Sequence, residues 1–222
     1  MADAKKVAIK VWRPILDKLD VKFEKALLRR DAYLNRVLEI ELDYLDGEVV
    51  ISNSQAAFNY VAQKLDSLDR RIVSISIRND LIDKLEDICA RKLIVREAFF
   101  NRFFLMLAAK PEHIDRLLLL ENDWRMRVWD KHMFDSGFFP DMYYPFEPRI
   151  DPFEVVRAGI EYSNEVRAKD GNESNPVSFY TVTFRAGIFK NTDLSGLNCY
   201  FPDSLLPDSP EQVSLRQALD DL

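Results

Sequence analysis

The chain contains one stretch twice. Residues 7–36 read VAIKVWRPILDKLDVKFEKALLRRDAYLNR, and residues 73–102, aligned 66 positions later without a gap, read VSISIRNDLIDKLEDICARKLIVREAFFNR. Ten of the thirty aligned positions are identical: Val7/Val73, Ile9/Ile75, Asp17/Asp83, Lys18/Lys84, Leu19/Leu85, Leu27/Leu93, Arg30/Arg96, Ala32/Ala98, Asn35/Asn101 and Arg36/Arg102. Many others exchange like for like, as in Val11/Ile77, Ile15/Leu81, Asp20/Glu86, Asp31/Glu97 and Tyr33/Phe99. Whatever one copy folds into, the other is expected to fold into as well.

Each copy reads in three parts. Val7, Ile9 and Val11 alternate with Ala8, Lys10 and Trp12, and Val73, Ile75 and Ile77 with Ser74, Ser76 and Arg78. Period 2 of this kind is a strand with one buried face. Pro14 in one copy and Asn79-Asp80 in the other then open a helix, because proline suits the first helical turn and Asn or Asp the cap. Its apolar face is Ile15, Leu16, Leu19, Phe23 and Leu27, or Leu81, Ile82, Leu85, Ile88 and Cys89, at helical spacing. A polar break at Arg29-Arg30-Asp31, or Val95-Arg96-Glu97, starts a second helix. That helix turns Leu34, Val37, Leu38 and Leu42, or Phe100, Phe103, Phe104 and Leu107, to one side.

VAIKVW followed by two helices, with second-helix openings RRDAYLNRVL and VREAFFNRFF, resembles the ribbon-helix-helix (Arc/MetJ-like) family of DNA-binding proteins. A lone strand with two helices cannot bury its apolar faces, whereas two such units joined through antiparallel strands make a compact four-helix core. The resemblance therefore implies an intramolecular pseudo-dimer, with Val7–Val11 pairing against Val73–Ile77. It also implies a major-groove reader of double-stranded DNA, acting as a transcriptional regulator of the repressor or antitoxin kind. Carried over residue by residue, it gives Lys10, Trp12, Ser74, Ser76 and Arg78 as base-reading side chains, with Ala8 between them. It gives Arg29, Arg30, Lys92 and Arg96 as phosphate contacts beside the second-helix starts, where free N–H groups and the helix dipole favour anions. The plainer reading of the same strand residues is the solvated face of a two-stranded ribbon. Asp31 and Glu97 oppose a phosphate there and are expected to serve as capping groups. Because the two outward faces differ, a site read by one chain is expected to be asymmetric.

Charge divides the chain at its middle. Residues 1–110 carry 20 basic against 17 acidic side chains, or +3, and residues 111–222 carry 11 against 20, or −9. A mildly basic front joined to an acidic rear suits a DNA-binding module with an appended domain that does not touch DNA, and charge scatter is the alternative. The expected fold is mainly α with small β. A tandem module over 1–110 (repeats 7–45 and 73–109, connector helix 53–69) precedes an acidic, aromatic-rich α+β C-terminal domain over 111–222. In the connector, Asn53-Ser54 caps a helix with Ala57, Tyr60, Val61, Leu65 and Leu68 on its apolar side, and about sixteen residues would span about 24 Å. It acts either as a fixed bridge between the copies or as a cover for the bundle.

Behind the repeats, Glu112–Phe134 is predicted as a long helix, followed by an aromatic and proline-rich stretch to Phe153. That stretch is either the core of a second domain or a surface for a protein partner, and self-association is a further expectation. A helix near Pro152–Lys169, strands over Val177–Phe184 and Leu197–Phe201, and a short acidic terminal helix complete the prediction.

Enzymatic motifs are missing from the sequence. His113 and His132 lack the i, i+4 partner of a metal site, and the six glycines form no phosphate-cradling loop. Neither a cofactor nor an enzymatic role is expected. Two cysteines, Cys89 and Cys199, make no disulfide framework, no apolar run is long enough to span a bilayer, and MADAKKVAIK lacks a signal-peptide core. A cytoplasmic protein is the expectation. The reading from a different class is an interaction or assembly factor that keeps the helical scaffold without DNA affinity.

Overall fold

A computed structural model describes residues 3–66, 68–109, 114–115, 118, 120–128, 151–170 and 176–180. These fall into two compact units, one within Met1–Lys110 and one within Pro111–Val182. The described chain is mostly helical, with one small two-stranded antiparallel sheet. The first unit runs β1 (Ala4–Trp12), α1 (Arg13–Lys25), α2 (Arg30–Glu48), α3 (Gln55–Asp66), β2 (Arg70–Arg78), α4 (Asn79–Lys92) and α5 (Arg96–Ala108).

β1 and β2 pair with Val7 opposite Ile75, Ala8 opposite Ser74 and Ile9 opposite Val73. Ala8 and Ser74 are equivalent positions of the two copies, so a local two-fold axis passes between them. Val7, Ile9, Val11, Val73, Ile75 and Ile77 are all buried. Helix packing is exchanged between copies: α1 packs on α5 and α2 on α4, while α5 lies over β1 and α2 over β2. Each copy's second helix thus covers the other copy's strand and first helix. The apolar faces of α1 and α4 match the sequence spacing except at Leu27, and α5 lines its side of the core with Phe99, Phe100, Phe103 and Phe104. Cys89 lies in this core, and burial pushes its thiol up to about 12, so it is no nucleophile at neutral pH.

Identical residues do identical work in the two copies. Asn101 donates to the Lys10 carbonyl at 3.0 Å and accepts from the Trp12 N–H at 2.8 Å. Asn35 does the same for Ser76 and Arg78, at 2.7 and 2.8 Å. In a two-stranded sheet both strands are edges, and these carboxamides satisfy backbone groups that would otherwise lack partners. Asp17 and Asp83 likewise pair with Arg71 and Lys5, each on the strand of the opposite copy. These exposed pairs contribute little beyond register, about 0–1 kcal/mol each.

Leu27 departs from its expected place on the apolar face. It is 92% exposed at φ 53, and its equivalent Leu93 sits at φ 51. Leu27 and Leu28 donate back to the Glu24 and Phe23 carbonyls, the paired bonds of a helix ending that requires a left-handed residue after the last turn. Glycine is the usual occupant because a Cβ there costs about 1–2 kcal/mol. Leu27→Gly is therefore expected to stabilise the first unit by about 1 kcal/mol, slowing amide exchange in α1 about fivefold. Unchanged or faster exchange would count against the strained turn. Leu93 is half-buried, so the matching substitution there gains less.

The connector helix is shorter than expected. Ser54 caps it through the Ala57 N–H, and Leu65 is buried, but α3 stops at Asp66 because Arg70 already pairs with Trp12. Twelve residues span about 18 Å. Asn53 donates from its backbone to the Lys92 carbonyl, and α3 packs on α5, so this helix is anchored at its start and along its side.

In the second unit, α6 (Glu154–Lys169) packs Gly159 against the indole of Trp124, which is 1% exposed. Trp124 Nε1 donates to Asp115 at 3.2 Å, and the Arg125 guanidinium stacks 4.5 Å from the indole centroid. Buried Arg157 pairs with Asp151 at 2.9 Å and lies over Phe179 and Phe153. The predicted helix over Glu112–Phe134 is interrupted: residues 120–121 are irregular, 122–123 form a turn, and helix resumes at Trp124. The Glu121 N–H donates to Ser163 Oγ instead of to a helical carbonyl, at the Asn122-Asp123 pair that favours turns. The strand predicted from Val177 is irregular at 176–178 and turns at Phe179–Tyr180, where Phe179 buries into the Arg157 cluster. Most of the aromatic stretch, both histidines, Cys199, the strand over Leu197–Phe201 and the terminal helix lie outside the described residues. Among the described residues, no helix is long and apolar enough to cross a membrane.

Candidate nucleic-acid interface

The central part of the β1–β2 face opposite the core, between the strand ends at Ala4 and Arg70, consists of Lys6, Ala8 and Lys10 on one strand and Ile72, Ser74 and Ser76 on the other. All are exposed except half-buried Ser76, and none is acidic. Opposing pairs run Lys6 with Ser76, Ala8 with Ser74, and Lys10 with Ile72. Lys6 and Lys10 make no ion pair among the described residues. Lys10, Ser74 and Ser76 therefore stand where the sequence placed them.

Trp12 does not, and Arg78 keeps its outward phase but is held by neighbouring carboxylates. They occupy equivalent positions at the strand ends, each the residue that caps the following helix, with φ near −60° and ψ of 124° and 139°. At Trp12 the alternation fails, whereas at Arg78 it holds and the side chain stays half-buried. Trp12 becomes 7% exposed and joins the core. Arg78 binds Asp80 and Glu39, and hydrogen bonds to Asp80 first, then Glu39, hold its guanidinium above its ordinary value against desolvation. The same hydrogen bond from Arg78 holds the Asp80 carboxyl below the usual carboxylate range. Arg78 is thus committed to two carboxylates, and Trp12 is removed from the reading face.

The expected phosphate residues divide in the same way. Lys92 is 8% exposed and donates to the Asp46 and Val49 carbonyls, neutralising the C-terminal end of α2. Lys22 does this for α5 through Leu107 and Ala109, and burial lowers its ammonium below the ordinary value. Lys92 is therefore a helix cap and no phosphate contact. Arg30 donates to the Ser74 carbonyl at 3.0 Å and meets Asp31 and Asp20, while Arg96 meets Glu97 and Glu86 at the equivalent positions. Asp31 itself accepts from the Ser76 N–H at 2.9 Å, sealing the strand edge. Arg29, at the start of α2, is exposed and makes no ion pair among the described residues. Neither Arg29 nor Val95 caps its helix through a side-chain hydrogen bond, while Asp31 and Glu97 place a carboxylate in the first turn of α2 and α5, against the positive dipole end.

Lys6 and Ile72 were not singled out in the sequence. Both fall in phase with the outward set, one position before the apolar alternation begins at Val7 and Val73, and period 2 extended backward finds them. Comparison with known protein families, with characterised proteins and with solved structures finds no match.

Proposed function

We propose that the two copies form an intramolecular ribbon-helix-helix pseudo-dimer that binds double-stranded DNA. On this reading the chain is a sequence-specific transcriptional regulator, of the repressor or antitoxin kind. The observation that carries it is the acid-free outward ribbon bearing Lys6, Lys10, Ser74 and Ser76. A two-stranded ribbon fits the major groove of B-DNA, where lysine reads guanine O6 and N7 and serine meets either partner of a base pair. Exposed Arg29, at the start of α2, supplies a phosphate contact beside it.

Selection of bound duplexes from a random pool tests this, followed by two single substitutions on the selected sequence. Lys10→Ala is expected to weaken the selected site by about 1–3 kcal/mol while leaving random duplex little affected. Arg29→Ala is expected to weaken all duplexes alike and to lower the salt slope by about one. Failure to enrich any sequence would remove the regulator reading.

A second reading has its own observation. Arg30, Arg78 and Arg96 are each neutralised by two carboxylates, which favours a scaffold that assembles with proteins. That protein would hold a stoichiometric partner and show no salt-sensitive affinity for duplex.

A further inference from the structure

The local two-fold axis through Ala8 and Ser74 makes the two ends of the ribbon directly comparable. One end presents Lys6 opposite Ser76, and the other presents Ile72 opposite Lys10. Under the 66-residue offset Lys6 is replaced by Ile72, and Ser76 by Lys10. Each end therefore keeps one lysine, but on opposite strands, and only one end carries a branched aliphatic side chain. Ile72 is 65% exposed on that face, with the rest of its strand's aliphatic residues, Val73, Ile75 and Ile77, buried in the core.

A side chain of this kind has one strong complement among base edges in the major groove, the C5-methyl of thymine, which is the apolar group that face of DNA offers. Serine has no such preference, since it can donate or accept. The base chemistry at the two ends is therefore unequal in a definite way.

We infer that the chain recognises a DNA site with a lysine-read guanine in each half and a required thymine, held against Ile72, in only one half. The inference rests on the duplex-reading function proposed above, and it names the bases that function would select. The register of the short ribbon sets Ile72 opposite Lys10 and Lys6 opposite Ser76, so the thymine belongs to the half beside Lys10, and Lys6 reads the other half with Ser76.

The test separates this inference from the reading beneath it. Duplexes are first selected from a random pool with the intact chain, and thymine in the selected site is then replaced by uracil, which deletes the methyl group and nothing else. The expected result is a site with guanine in both halves and thymine in one, whose affinity falls about fourfold on replacement, the factor that removing one methyl from water supplies. Ile72→Ser is expected to abolish sensitivity to uracil and the one-sided thymine preference, while the guanine preference remains. A selected site with matching halves, or an affinity indifferent to uracil in the wild-type chain, overturns the inference and leaves DNA binding standing. No enrichment of any duplex overturns both.

Discussion

Asn101→Ala is expected to cost the first unit about 3 kcal/mol. The carboxamide is 2% exposed and joins α5 to the outer edge of β1, accepting from Trp12 and donating to Lys10 and to the Glu97 carbonyl one turn earlier. Alanine leaves the Trp12 N–H buried without a partner, and an orphaned buried group costs about 1–3 kcal/mol before the lost packing is added. Asn35→Ala removes the equivalent bonds, but Asn35 is half-buried and water can replace it, so about half that loss is expected. Because the chain has two units, the measurement is amide exchange at the β1 and β2 residues rather than a global melt. Equal losses at the two asparagines, or no loss at Asn101, would contradict the role assigned to them.

Gly159→Ala is expected to destabilise the second unit by about 1–2 kcal/mol, although alanine is the better helix former by about 1 kcal/mol. A Cβ at Gly159 would stand 2.4 Å from Cε3 of Trp124 and 2.7 Å from Cζ3. The indole has little room to yield, since its N–H is bound to Asp115 and Arg125 covers its face. The helix or the ring must shift. Trp124→Leu in the same chain should recover part of the loss, giving a coupling between the two sites that amide exchange in α6 can read. Additive losses would mean that the close approach does not govern the packing.

The front half was legible because its signals repeat. Period 2 at Val7–Val11 and Val73–Ile77, helical spacing in the four following segments, and the 66-residue offset together specify strands, helices and their pairing partner. Trp12 leaves the outward set because it stands at the junction where the chain enters α1, and Arg78 keeps its phase but is held by Asp80 and Glu39, which alternation does not reveal. Lys92 was misplaced because charge and position along α4 do not reveal that the end of α2 comes to rest beside it. The identity of Asn35 and Asn101 was visible from the start, but its meaning required the exchanged packing, since each bonds to the strand of the opposite copy. In the rear half, the Gly159–Trp124 contact joins residues 35 positions apart with no spacing rule to announce it.

Titration of a labelled short duplex of random sequence with the intact chain, repeated across salt concentrations, tests the central claim most directly. Log K is expected to fall linearly as log salt rises, Arg29→Ala to lower that slope by about one, and Lys6→Glu with Lys10→Glu to abolish binding by setting two carboxylates against the duplex. Absence of binding at low salt, or binding indifferent to both salt and the two substitutions, would contradict it.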